Sequence, residues 1–113
     1  MIPTKIVYVA SPYSHEDPRV EEKRYELVSE AVAGLMKLHP KFYFFSPILH
    51  SHVLAREWNI EPDVGWEIYD LKMLSVSDLL LVFKDEGWEE SKGVAAEIEY
   101  ATKNGIEISY LDA

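Results

Sequence analysis

Residues Leu79–Ala101 read LLLVFKDEGWEESKGVAAEIEYA. Leu79 to Phe83 is an unbroken apolar run of strand length, the profile of a strand buried on both faces of a parallel sheet. A short acidic loop follows, and Ser91, Lys92 and Gly93 open a helix expected to span 91–104. Asn104–Gly105 supply its C-cap, and Ile106 to Leu111 form another strand. Val94, Ile98 and Ala101 share one helix face, with Glu97 on its border. Glu99 points about 160° away from Glu97 and is expected in water. A carboxylate at the edge of an apolar stripe, above a helix N-terminus that favours anions, is a candidate site. Spacing alone favours the plainer reading, a rim glutamate whose head reaches solvent.

The N-terminal half follows the same grammar. Lys5 to Ala10 is short and rich in β-formers, as a central parallel strand is. Ser11-Pro12-Tyr13-Ser14 is a turn, Asp17–Pro18 an N-cap and first helical residue, and a helix runs to about Leu38. Phe42 to Phe45 is the second strand. A short helix is expected over Val53 to Trp58, and Asp63 is expected to cap another from Val64 to Ser75.

Composition narrows the function. A chain of 113 residues is expected to form one domain over 1–113 and to bury roughly two-thirds of its unfolded surface without staples. There is no cysteine, which removes disulfides, thiolate catalysis and Cys-based metal sites. No apolar stretch approaches a membrane span and no signal-peptide pattern is present, so no membrane partner and a cytoplasmic setting are expected. The net charge of −9 argues against a nucleic-acid partner, because that surface needs clustered Lys and Arg. A small anion remains compatible, held by a helix N-terminus.

Strands alternating with helices imply right-handed crossovers and a parallel sheet. The expected fold is α/β: a doubly wound four-stranded sheet, order 2-1-3-4, in a flavodoxin- or Rossmann-like three-layer sandwich. Ligands of such sheets bind where the strand order reverses, at the carboxyl ends. Ala10–His15 and Lys84–Gly93 converge there. Tyr8, Ser11, Tyr13, His50, His52, Asp70, Asp78, Trp88, Ser91, Gly93 and Glu97 are therefore candidates for one crevice. Plainer roles stand beside each. Tyr8 suits a core position, Ser91 an N-cap, Asp78 a turn cap, Asp70 a solvated helix face, and Trp88 a loop lid. His50-x-His52 lacks a third ligand, so no metal is expected.

Tyr8 on strand one, Asp70-Leu71 with Ser77-Asp78, and Ser91-x-Gly93-Val94-x-x-Glu97-Ile98 resemble the nucleoside 2-deoxyribosyltransferase superfamily. The closer resemblance is to a small bacterial and phage branch. It rests on Ser-Pro-Tyr-Ser at 11–14, the segment Phe45 to His52, and the loop and helix from Gly87 to Glu97.

The resemblance implies cleavage of the N-glycosidic bond of a (deoxy)nucleoside or nucleoside 5′-monophosphate, by hydrolysis or base exchange, without metal or organic cofactor. Glu97 is then the nucleophile, Tyr8 orients it, Asp70 supports protonation of the leaving base, and Ser91 contacts a 5′-phosphate. Gly93 lets that phosphate approach the backbone. An attacking carboxylate is ionised, so Glu97 is expected to be less deeply buried than a general acid. The resemblance also implies a homodimer or higher homo-oligomer.

Three features depart from the better-known members. The turn after strand one is not glycine-rich, His50 and His52 have no counterpart, and this sequence stops at Ala113 where they continue. The His50/His52 segment is accordingly expected to recognise base or phosphate. Two other readings stay open: a nucleotide sensor on the same fold without turnover, and a structural adaptor using Trp58 or Tyr69 for oligomerisation.

Overall fold

A computed structural model describes residues 5–113. Four strands, β1 (Ile6–Ala10), β2 (Tyr43–Phe45), β3 (Leu79–Lys84) and β4 (Glu107–Asp112), form one parallel sheet. Their order is β2-β1-β3-β4, the order the sequence predicts. Parallel neighbours require crossovers, and these are α1 (Pro18–Leu38), α2 (Pro47–Trp58) with α3 (Gly65–Ser75), and α4 (Lys92–Lys103).

Alternation along the strands divides the core between two faces. Val7, Val9 and Phe83 pack with Val28 and Val32 of α1 and Ile48 of α2. Tyr8, Ala10, Leu80 and Val82 pack with Leu74 of α3 and with Val94 and Ala101 of α4. Three layers result. The odd-even pattern therefore aims Tyr8 at α4.

Local chemistry fixes the boundaries and corrects several expected ones. α2 starts at Pro47 rather than Val53, because Ser46 Oγ accepts the Leu49 N–H and proline suits a first helical turn. Asp63 does not cap α3; Val64 holds that position without a side-chain hydrogen bond. β3 and β4 each run one residue beyond the expected end, where Lys84 Nζ pairs with Asp112 Oδ1 at 2.9 Å. The loop after β3 contains a 3₁₀ turn over Trp88–Glu90. Among the described residues no helix is long and apolar enough to cross a membrane.

Candidate active site

The strand order reverses between β1 and β3, and a hollow of about 650 Å³ opens beside their carboxyl ends. Its walls come from the loop after β1 (Ser11, Tyr13), from α2 (His52), from α3 (Trp66, Asp70) and from the start of α4 (Ser91, Gly93, Glu97). That volume lies within the range of small-molecule sites.

Glu97 lies at the inner end. It stands one turn after buried Val94, at the border of the apolar stripe, yet only 8% of it is exposed. This corrects the expectation of a shallow carboxylate. Burial is tolerated because Tyr8, itself 0% exposed, donates its hydroxyl to Glu97 Oε2. Burial still pushes Glu97 up to about 8. The Tyr8 hydrogen bond works in the opposite direction, and nearby Asp70 adds a smaller upward push. The Tyr8 phenol is raised beyond its ordinary range by burial first and by Glu97 second, so it remains a donor. Glu99 stands in solvent, paired with Lys103 at 2.8 Å.

Asp70 faces the same hollow from α3, and desolvation raises it to about 7. Its Oδ1 is buried without a hydrogen-bond partner, and so is Ser11 Oγ. Among the described residues these are the two orphaned buried side-chain polar atoms, and both belong to residues of this hollow. Buried polar atoms are nearly always satisfied, by protein or by ordered water, so both are free to bond a molecule in the hollow.

The start of α4 also lines the hollow. Ser91 Oγ accepts the Val94 N–H as the N-cap of α4, and Lys92 and Gly93 stand beside it on the hollow. The two rim loops are strapped together by Arg24 of α1. Its Nη1 donates to the carbonyls of Tyr13 (3.2 Å) and Ser14 (3.1 Å), and its Nη2 donates to that of Glu86 (3.3 Å). Gly87 leaves room for this strap: at φ 87° a Cβ there would lie 2.6 Å from Arg24 Nη2.

Tyr13 and His52 meet on the α2 side, with the Tyr13 hydroxyl 2.6 Å from His52 Nδ1. His50 is directed elsewhere. Its ring stacks on Tyr69 at 5.3 Å and its Nε2 lies 3.0 Å from the Tyr69 hydroxyl. Asp78 sits at the other end of the sheet, where Oδ2 accepts the Ile6 N–H at 2.8 Å. Trp88 packs against Tyr110, 5.9 Å away, and against the α4 side of the core. Eight of the eleven candidates thus gather around the hollow: Tyr8, Ser11, Tyr13, His52, Asp70, Ser91, Gly93 and Glu97. Trp66, Glu67 and Glu90 also line it without having been singled out. The four-residue spacing of Trp66 and Asp70, which places them on one helix face, is the signal that identifies Trp66.

The family model described as "Domain of unknown function (DUF1937)" matches residues 5–112. The chain belongs to that family. No curated protein matches this DUF1937 chain. Among solved structures, the chain is similar to a 2-desoxiribosyltransferase from Leishmania mexicana, with a TM-score of 0.62 and 20% identity. The match covers 96% of this chain and 64% of the Leishmania chain, so the DUF1937 domain spans under two-thirds of that protein. The resemblance read from the sequence holds at the level of the fold.

Proposed function

We propose that this chain cleaves the N-glycosidic bond of a (deoxy)nucleoside or nucleoside 5′-monophosphate, with Glu97 as nucleophile. The observation that carries the reading is the buried Tyr8–Glu97 hydrogen bond beside Asp70, in a hollow where Asp70 Oδ1 and Ser11 Oγ lack partners. The shared fold with a 2-desoxiribosyltransferase supports it.

The residue types suit the chemistry. Glycosyl transfer through an oxocarbenium-like state uses one carboxylate at the anomeric carbon and a proton donor at the leaving group. Glu97, ionised, attacks C1′ as the C1′–N bond breaks, and the bond's electron pair leaves with the base. Asp70, raised to about 7, holds a proton near neutrality and delivers it to that base. Tyr8 keeps the attacking oxygen in place. Water or a second base then takes the glycosyl group from Glu97. Ser91 and the free N–H groups at the start of α4 suit a 5′-phosphate or a 5′-hydroxyl.

The decisive experiment measures base release from a panel of (deoxy)nucleosides and their 5′-monophosphates. Wild-type chain releases base, and Glu97→Gln abolishes release while its circular dichroism is unchanged. Wild-type inactivity across the panel refutes the enzymatic reading.

One observation favours a second reading. A free carboxyl titrating at about 8 is mostly protonated at neutral pH, which suits a nucleotide sensor that binds without turnover. A saturable rise in melting temperature with no base released would establish it.

A further inference from the structure

One network at the hollow has no part in the steps above. His52 is 5% exposed, with the Tyr25 ring stacked on it at 4.0 Å. Its Nδ1 lies 2.6 Å from the Tyr13 hydroxyl and its Nε2 lies 2.9 Å from Glu22 Oε2. An ionised carboxylate only accepts, so Nε2 carries the ring proton. In the neutral ring Nδ1 is then an acceptor, and Tyr13 donates to it. Hydroxyl, imidazole and carboxylate in that order form the arrangement by which a weakly acidic hydroxyl exchanges its proton.

Two further charged groups face the network. Arg56 of α2 pairs with Glu21 of α1 at 2.5 Å and lies 3.9 Å from Glu22. Burial raises the Tyr13 phenol, the Arg56 guanidinium offsets part of that rise, and Glu21 and Glu22 add to it. Tyr13 and His52 both line the hollow, on a wall built by different elements from the α3 wall that carries Asp70.

We infer that Tyr13 is a second proton-transfer group of this site, positioned by His52 and Glu22, which deprotonates the water that resolves the glycosyl–Glu97 intermediate. The inference rests on the glycosidic reading and assigns it to hydrolysis. In this step the water oxygen bonds C1′ while the C1′–O bond to Glu97 breaks, and its electron pair returns to the carboxylate. The water proton passes to the Tyr13 oxygen as the Tyr13 proton moves to His52 Nδ1. The resulting imidazolium is held against Glu22 until it loses that proton to solvent. Exchange between two bases needs no such group, because its second half is the first in reverse and Asp70 serves both.

Rapid-quench kinetics with intact-protein mass measurement tests this, using the four natural deoxynucleosides and their 5′-monophosphates. In Tyr13→Phe and His52→Gln, the first equivalent of base is released at close to the wild-type rate. Later turnover slows roughly 10²-fold and the glycosyl–protein adduct accumulates. Glu22→Gln, at a half-exposed position that spares the core, gives a smaller delay in the same phase. A merely structural role for the network slows both phases together or neither, without adduct, and that result overturns the inference. Base exchange slowed as much as hydrolysis in Tyr13→Phe overturns it too. Absence of base release from wild-type chain refutes the glycosidic reading itself, and the relay falls with it.

Discussion

Tyr8 and Glu97 stand 89 positions apart in the chain and share a hydrogen bond inside the core. β1 carries the tyrosine to the sheet centre, and α4 lowers the glutamate onto it from one face. A folded chain thus hides a carboxyl that an unfolded chain leaves in water, and this has thermodynamic consequences.

Stability should fall as pH rises. Glu97 moves from an ordinary 4.5 to about 8 on folding, so the folded state holds its proton across that interval. A group with a raised folded pKa contributes fully below about 4.5, loses that contribution progressively up to about 8, and changes little beyond. Asp70, raised from 3.8 to about 7, acts in the same direction. The Glu97 share of the slope is about 1.4 kcal/mol per pH unit at its steepest. Urea unfolding from pH 5 to 9 measures it. Glu97→Gln removes its own share and leaves the Asp70 share, whereas Tyr8→Phe shifts the Glu97 limb to higher pH because a hydrogen bond to the ionised form is lost.

Base release should follow a bell-shaped pH profile. In the proposed mechanism the reactive form has Glu97 ionised and Asp70 protonated, the reverse of their order of titration. Between about pH 7 and 8 only a minority of molecules hold that combination, and the two titrations are coupled. The limbs of kcat/KM should fall near 7 and 8 and belong to the pair. Replacing Asp70 by Asn removes the alkaline control on proton delivery and lowers the rate by roughly 10²-fold for bases that need protonation. A profile flat from pH 6 to 9 contradicts these roles.

Ser11→Ala should stabilise the free chain while weakening ligand binding. Its hydroxyl is buried and unpartnered, and removing such a group gains roughly 1 kcal/mol. If a ligand satisfies it, affinity drops about tenfold. Melting temperature and a binding isotherm, read on the same variant, must move in these opposed directions.

Gly87→Ala should destabilise by roughly 1–3 kcal/mol. The cause is the positive φ, unsuited to a side chain; the Arg24 guanidinium, the mobile end of a long side chain, can move off the added Cβ but loosens its grip in doing so. Arg24→Gln, which keeps the glycine but removes the fork of donors, should raise KM more than it lowers kcat. Chemical denaturation and steady-state kinetics check the pair.

The sheet and its order were legible because each strand is short and apolar, with a helix pattern after it. Ser91 was legible as a cap because serine before a periodic run has few other uses. The burial of Glu97 was not, since the wheel puts it at a border and only its distant partner Tyr8 draws it inward. Ser46–Pro47 reads equally as a turn and as a helix start, which concealed the first turns of α2. The same ambiguity placed His50 and His52 together, whereas their two-residue separation on a helix sends one ring to Tyr69 and the other to Glu22. Asp78 precedes Leu79 and so belongs to the end of β3 away from the hollow, where it bonds Ile6 as the turn-cap reading allowed.

The Arg24 strap makes the two rim segments one mechanical part. Because a single guanidinium grips carbonyls from both, a disturbance of the chain at Tyr13–Ser14 should reach Glu86 without passing through the sheet. Amide hydrogens on both segments should slow together when either is ordered by a bound molecule, and severing the grip at residue 24 should let them exchange as two independent units.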